Sequence, residues 1–150
     1  MKILAVRFLN LNSLKGEHEI RFDQSPLADA GLFAITGPTG AGKTTILDAI
    51  TVGLYGMAHR HNNERPLELM TRHTAECYAE VEFEAGGKVY RSKWHLRRSR
   101  GKADGKIQPV HMELYDFDKD ELLDLKPSEV PAMVAEICGL DYSQFLRSVM

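Results

Sequence analysis

The stretch Gly37-Pro38-Thr39-Gly40-Ala41-Gly42-Lys43-Thr44, GPTGAGKT, decides how this chain reads, because the apolar run LFAIT at 32–36 precedes it and TILDAI at 45–50 follows it. That order is strand, phosphate loop, helix. The pattern has mechanical reasons. Consecutive backbone N–H groups must turn inward to wrap a polyphosphate, and the glycines at 37, 40 and 42 permit both the turn and a close backbone approach. Lys43 is then placed to reach the β- and γ-phosphates as a compact charge. The Thr44 hydroxyl is placed to ligate a Mg²⁺ bridging them, with Thr45 beside it in the same helical turn. The helix that starts here points its positive dipole end at the same anion. A glycine-rich turn without a ligand is the competing reading, weakened by the strand before it and the apolar helix after it.

Around this loop lies enough chain for one domain: 150 residues, 43% of them hydrophobic. The formal charge of −2 conceals a segregation, since residues 88–106 carry +7 and the remainder −9. Cys77 and Cys138 are far apart and form no CxxC or metal-like spacing, which suits a reducing compartment and two structural thiols. Residues 2–10 are too short for a signal peptide and read as a strand. No apolar run approaches membrane-spanning length, so the expectation is a cytoplasmic protein.

Outward from the loop, the helix runs from 43 to about 55, with Ile46, Ile50 and Leu54 on one stripe facing a sheet and Gly56 as its stop. Asp48, one turn after Thr44, reads as a solvated carboxylate rather than a partner of the site. Upstream, 2–9 alternates with Leu4, Val6 and Phe8 on one face, and 17–23 with His18, Ile20 and Phe22. Residues 32–35 are apolar without alternation, which predicts a central parallel strand covered on both faces. Downstream, 57–74 lacks a period and reads as a mobile surface segment. Its His59, His61 and His73 lack a completing ligand set, so a metal site is the minor reading.

Residues 76–84 alternate strictly, Gly86-Gly87 offers a two-residue turn, and 88–96 returns. Setting Ala85 opposite Lys88 aligns Phe83 with Tyr90, Val81 with Ser92, Ala79 with Trp94 and Cys77 with Leu96. The same register sets Glu82 against Arg91 and Glu80 against Lys93, favourable pairs of about 0.2–1 kcal/mol each. Arg97, Arg98, Arg100, Lys102 and Lys106 stay unpaired in a glycine-containing loop. Val110, Met112 and Leu114 then form a strand, an acidic turn follows at 116–121, and Ser128 reads as the N-cap of a helix closed by Gly139. A short helix at 142–149 ends the chain.

Four segments in order, MKILAVRFLNLNSLKGEHEIRFD at 1–23, GLFAITGPTGAGKTTILDAI at 31–50, LMTRHTAECYAEVEFE at 69–84 and GLDYSQFLRSVM at 139–150, resemble the N-terminal ATPase segment of the SbcC family. These are bacterial ATPase subunits of the SbcCD nuclease, related to SMC proteins. The resemblance covers essentially the whole chain. It implies an α/β P-loop NTPase fold, an ABC/SMC-type head lobe with a mixed sheet, a smaller antiparallel sheet and flanking helices. It further implies that ATP and Mg are the cofactors and that residues 1–150 are one lobe of a split head. The coiled coil and C-terminal lobe, with the signature motif and the catalytic glutamate, lie elsewhere.

The implied partners are an SbcD-like nuclease subunit, the C-terminal lobe of the same protein, a second head and double-stranded DNA, with no membrane. The implied role is processing of DNA ends and hairpins, as double-strand exonuclease and single-strand endonuclease, in repair and recombination. No catalytic set is complete in residues 1–150, so this segment alone is not expected to hydrolyse ATP. Asn12 and Ser13 are expected near the nucleotide, at the turn where archaeal and eukaryotic relatives carry a basic residue. Arg97, Arg98, Arg100 and Lys102 are candidate DNA phosphate contacts, and a solvated basic surface is an equal reading. A self-contained P-loop kinase or GTPase is the alternative. It predicts an acidic Mg-binding strand end or an Asn-Lys-x-Asp element, and neither is visible. A lobe that works only by docking with its complementary segment is a third reading.

Overall fold

The alternating residues near the N-terminus form two antiparallel strands, β1 (Lys2–Leu11) and β2 (Leu14–Arg21), in the computed structural model, which describes residues 1–30, 34–38, 42–58 and 66–149. Four more follow: β3 (Glu76–Ala85), β4 (Lys88–Arg97), β5 (His111–Asp116) and the two-residue β6 (Glu121–Leu122). All six belong to one sheet of order β2-β1-β3-β4-β5-β6, and every neighbouring pair is antiparallel. The β3–β4 hairpin has the register expected from alternation, from Ala85 opposite Lys88 to Cys77 opposite Leu96. Gly86 and Gly87, with φ of 59° and 77°, make the turn that side-chain-bearing residues resist.

Two expectations about the sheet are corrected. Among the described residues there is one sheet, not a mixed sheet beside a smaller antiparallel one, because β1 carries the same alternation as β3. Val6 meets Val81 and Phe8 meets Ala79 in the β1–β3 ladder, so one apolar face runs through all the long strands. A bulge between Ile3 and Ala5 displaces Leu4 from that face, leaving it half-buried while Ala5 and Val6 are fully buried. The second correction concerns the central parallel strand. Residues 34–37 carry no regular structure and are exposed, Ile35 by 45%. A parallel strand needs neighbours to complete its ladder and cover on both faces. Among the described residues no strand lies beside 34–37, and residues 32 and 33 fall outside them.

The inserted β1 also redistributes the charge pairs. Arg7 sits over the sheet's outer face and bonds Glu80 at 2.7 Å, Glu82 at 2.8 Å and Glu19 at 2.7 Å. Arg91 therefore reaches Glu80 only at 4.0 Å and lies over the Tyr115 ring, while Lys93 caps Tyr78 at 4.6 Å. Glu82 stands opposite Arg91 and Glu80 opposite Lys93 as expected, but their carboxylates bond chiefly to Arg7 from another strand.

Across the inner face lies α1 (Lys43–Tyr55), within one residue of its expected extent and ended by Gly56. The stripe Ile46, Ile50, Leu54 is not its line of closest approach. That line runs through Gly53, where an added Cβ would stand 2.8 Å from Val81 Cγ2. The smallest residue takes the position where backbones come nearest. The opposite side of α1 is covered by α2 (Val130–Cys138) and α3 (Tyr142–Val149), with the Tyr55 ring 6.0 Å from Tyr142 and 5.8 Å from Phe145. Nine of its thirteen residues are consequently buried, Asp48 among them.

Two further expectations change. Ser128 does not cap α2; a 3₁₀ turn over Pro127–Glu129 leads into it, Glu129 takes the cap position, and Pro131 sits in the first turn. Leu69 and Met70 are buried, and Met70 bridges to Leu11, so this part of 57–74 is packed, while Leu67, Glu68, Arg72 and His73 lie on the surface as expected. The reason is that the β1–β2 turn needs partners for its backbone: Asn12 N–H donates to Leu69 O at 2.7 Å and Thr71 N–H to Asn10 O at 2.9 Å.

Candidate functional site

The N-terminus of α1 is the corner on which the glycine-rich motif converges. Gly42 precedes the helix with φ of 93°, and a Cβ there would meet Leu14 Cδ1 at 2.8 Å. Backbone conformation and space both select glycine at this point. Thr45 N–H and Ile46 N–H return to Gly42 O at 3.1 and 3.3 Å, and no side chain caps the helix. Lys43 and Thr44 occupy its first turn. The Lys43 ammonium donates to Gly37 O at 2.6 Å, folding over the ends of the motif, and Thr44 is exposed. Thr39, Gly40 and Ala41 lie outside the described residues.

This donor set suits a polyphosphate. The cation lies against a backbone carbonyl that an anion can displace, and the helix end presents N–H groups with the positive end of the dipole. Thr44 supplies a hydroxyl of the kind that ligates Mg²⁺. Thr45 differs, for it is 2% exposed and faces inward.

Beneath the corner, the β1–β2 turn closes on the helix. Asn12, at φ of 52°, donates its side-chain amide to Asp48 Oδ2 at 2.9 Å and to Thr45 Oγ1 at 3.3 Å. Of the two residues expected near the nucleotide, Asn12 has its amide engaged below the first turn, and Ser13 is exposed. Asp48 is 2% exposed, not a solvated carboxylate. A signal for this was available, because a helix as apolar on all sides as ILDAITVGLY is buried all round and takes its one carboxylate with it. Burial, and secondarily the Asp48 charge, raise the Tyr142 phenol, so α3 also feels this carboxylate.

Beside Lys43 and Thr44 opens a groove of about 690 Å³, walled by Ile3, Phe22, Leu27, Ile35, Ile50 and Phe145. Val149 also borders it and is 49% exposed.

The basic loop lies at the far end of β4. It is internally braced: Ser99 N–H donates to Lys106 O at 2.8 Å, Lys106 N–H to Ser99 Oγ at 3.0 Å, and Arg98 Nη1 to Gly105 O at 3.0 Å. Arg98 is therefore partly used inside the loop, while Arg97, Arg100, Lys102 and Lys106 are exposed. Among the described residues no three His, Cys, Asp or Glu side chains form a metal cluster; His59 and His61 lie outside them. No described helix is long and apolar enough to cross a membrane.

Comparison with known proteins places these features in a family. The family model described as AAA domain matches residues 5–149. The chain is 44% identical over 170 aligned positions to the SbcC component of the SbcCD nuclease of Pseudomonas aeruginosa, an alignment covering 100% of this chain and 14% of that protein. It is 38% identical over 169 positions to the same component from Rhodobacter capsulatus, again 100% of this chain and 14% of the relative. A probable DNA double-strand break repair Rad50 ATPase of Aquifex aeolicus is 30% identical over 119 positions, covering 79% of this chain and 11% of that protein. The chain thus spans about one seventh of the length of the curated relatives it matches, at their 14% coverage.

Proposed function

Because the chain belongs to the AAA domain family, we propose that it is the Mg-ATP-binding N-terminal lobe of an SbcC-like ATPase, acting with a nuclease partner on DNA ends. The observation that carries this reading is the corner made by Gly42 at φ 93° and Lys43, whose ammonium closes on Gly37 O at 2.6 Å. Gly37, Pro38, Gly42, Lys43 and Thr44, with Thr39, Gly40 and Ala41, would hold the polyphosphate, and Thr44 the Mg²⁺. When bound, Mg-ATP supplies a phosphoryl group poised for attack by water. This chain's residues contribute the cradle and its positive charge. Orienting that water requires groups outside residues 1–150, so turnover by this segment alone is negligible.

The remainder of the head is the partner this reading requires. The exposed Ile35 and Val149 beside the apolar groove support docking of a C-terminal lobe there, which would also supply strands to 34–37. The assembly is completed by a second head and an SbcD-like nuclease. DNA backbone is assigned to Arg97, Arg100 and Lys102, a charged set on a braced loop, with Arg98 chiefly holding the loop.

The decisive experiment is equilibrium binding of Mg-ATP to the intact protein, with Lys43→Ala as comparison. We expect the variant to bind at least about tenfold more weakly, the loss of one charge-assisted contact. Equal affinity refutes the site. Turnover by residues 1–150 clearly above the same variant refutes their catalytic incompleteness.

A further inference from the structure

The polar contact beneath the motif joins three parts of the chain that the nucleotide corner does not explain. Asn12 is held at four points. Its N–H donates to Leu69 O at 2.7 Å, its carbonyl accepts from Thr71 Oγ1 at 2.8 Å, and its amide donates to Asp48 at 2.9 Å and Thr45 at 3.3 Å. The two acceptors are each 2% exposed. A buried carboxylate needs donors that stay in place, so the cost of misplacing the Asn12 amide is high. Asp48 and Thr45 are i and i−3 on α1 and share one face of its first two turns. Holding them holds the turn that carries Lys43 and Thr44.

We propose that Asn12 and Asp48 are positioning residues: the Asn12–Asp48–Thr45 contact locks the start of α1 to the β1–β2 turn and to 69–71, and thereby sets the affinity of the motif for its nucleotide. The inference rests on the nucleotide-binding reading above. Two features support it beyond the distances. Leu14, from the same hairpin, packs against Gly42 so closely that a Cβ there would stand 2.8 Å away, so turn and loop are already in contact on the other side. The field of Asp48 also reaches Tyr142 on α3. A change in the seating of 69–71 is thus transmitted to the phosphate corner through a hydrogen-bonded core rather than through a loop.

The pair can be inverted, which provides the test. In Asn12→Asp two carboxylates face each other; in Asp48→Asn the buried charge is lost. In the double variant N12D/D48N an amide again faces a carboxylate, with the donor now on α1 and the Thr45 hydroxyl free to rotate and donate. Asp tolerates the positive φ at position 12 much as Asn does. The intact protein would be titrated with a fluorescent ATP analogue and Mg²⁺. Amide hydrogen exchange in the first turn of α1 would be measured separately without nucleotide. We expect each single variant to weaken binding by about tenfold and to speed exchange in that turn, and the double variant to recover most of both. Unchanged exchange in the singles, or no recovery in the double variant, overturns the lock. Altered exchange with unchanged affinity overturns its link to nucleotide. A wild-type protein that binds no nucleotide refutes the functional reading, and the exchange measurements still decide the lock.

Discussion

Replacing Gly53 by alanine sets two known effects against each other, and the structure decides between them. In an isolated helix the change is favourable by about 1 kcal/mol, since glycine is a poor helix former. Here the new Cβ would stand 2.8 Å from Val81 Cγ2 and 3.3 Å from the Ala79 carbonyl oxygen. Neither neighbour yields easily. Val81 is fully buried on a strand paired on both sides, its branched side chain is stiff, and the carbonyl belongs to the sheet ladder. Relief requires α1 to withdraw toward α2 and α3, against packing that already buries Leu54 and Tyr55. Overpacking of this kind costs about 1–3 kcal/mol. Set against that gain, the net expectation is a loss of about 1 kcal/mol and at most about 2, or roughly 3 °C in Tm for a domain of this size. Urea denaturation followed by the single tryptophan, Trp94, which is 2% exposed, measures it. Val81→Ala removes the clashing methyl, so the double variant should be more stable than the sum of the singles by about 1 kcal/mol. A Gly53→Ala protein more stable than wild type, or strictly additive with Val81→Ala, refutes the argument.

Other expectations follow from single features. Ser92 Oγ is buried without a hydrogen-bond partner among the described residues, so Ser92→Ala should raise stability by about 1 kcal/mol in the same assay. Burial first, then the Glu76 carboxylate, push the Cys77 thiol up to about 12 from its ordinary 9.0. The unfolded thiol therefore ionises first as pH rises. The stability tied to this proton is intact below about 9 and lost between about 9 and 12, at up to about 1.4 kcal/mol per pH unit, and Cys77→Ala should flatten that alkaline decline. Replacing Arg97, Arg100 and Lys102 by alanine should lower the salt slope of DNA binding by the intact protein by up to about three, one per lost phosphate contact, and an unchanged slope would remove the loop from the interface.

Much of this molecule was legible in the one-dimensional pattern. Strict alternation at 76–84 with a Gly-Gly turn leaves a single register that buries one face, so the β3–β4 pairing could be written down residue by residue. The bounds of α1 and α3 and the α2 stop at Gly139 followed from helical spacing and a terminal glycine for the same local reason. Glycine spacing and the adjoining lysine likewise marked the corner at the N-terminus of α1 for which we propose polyphosphate binding.

What the tertiary structure alone decided concerns meetings between distant segments. Periodicity states which face of a strand is apolar but not which strand lies beside it, so the arrival of β1 against β3, and the capture of Glu80 and Glu82 by Arg7, had no local signature. The closest approach of α1 fell on Gly53 rather than on its large apolar side chains because distance between backbones, not hydrophobicity, selects the smallest residue. Asn12, Asp48 and Thr45 come together from two elements 33 and 36 residues apart, and only the folding of the hairpin under the helix makes them neighbours. Local chemistry thus marked the glycine-rich corner at the start of α1. The support beneath that corner is a product of packing.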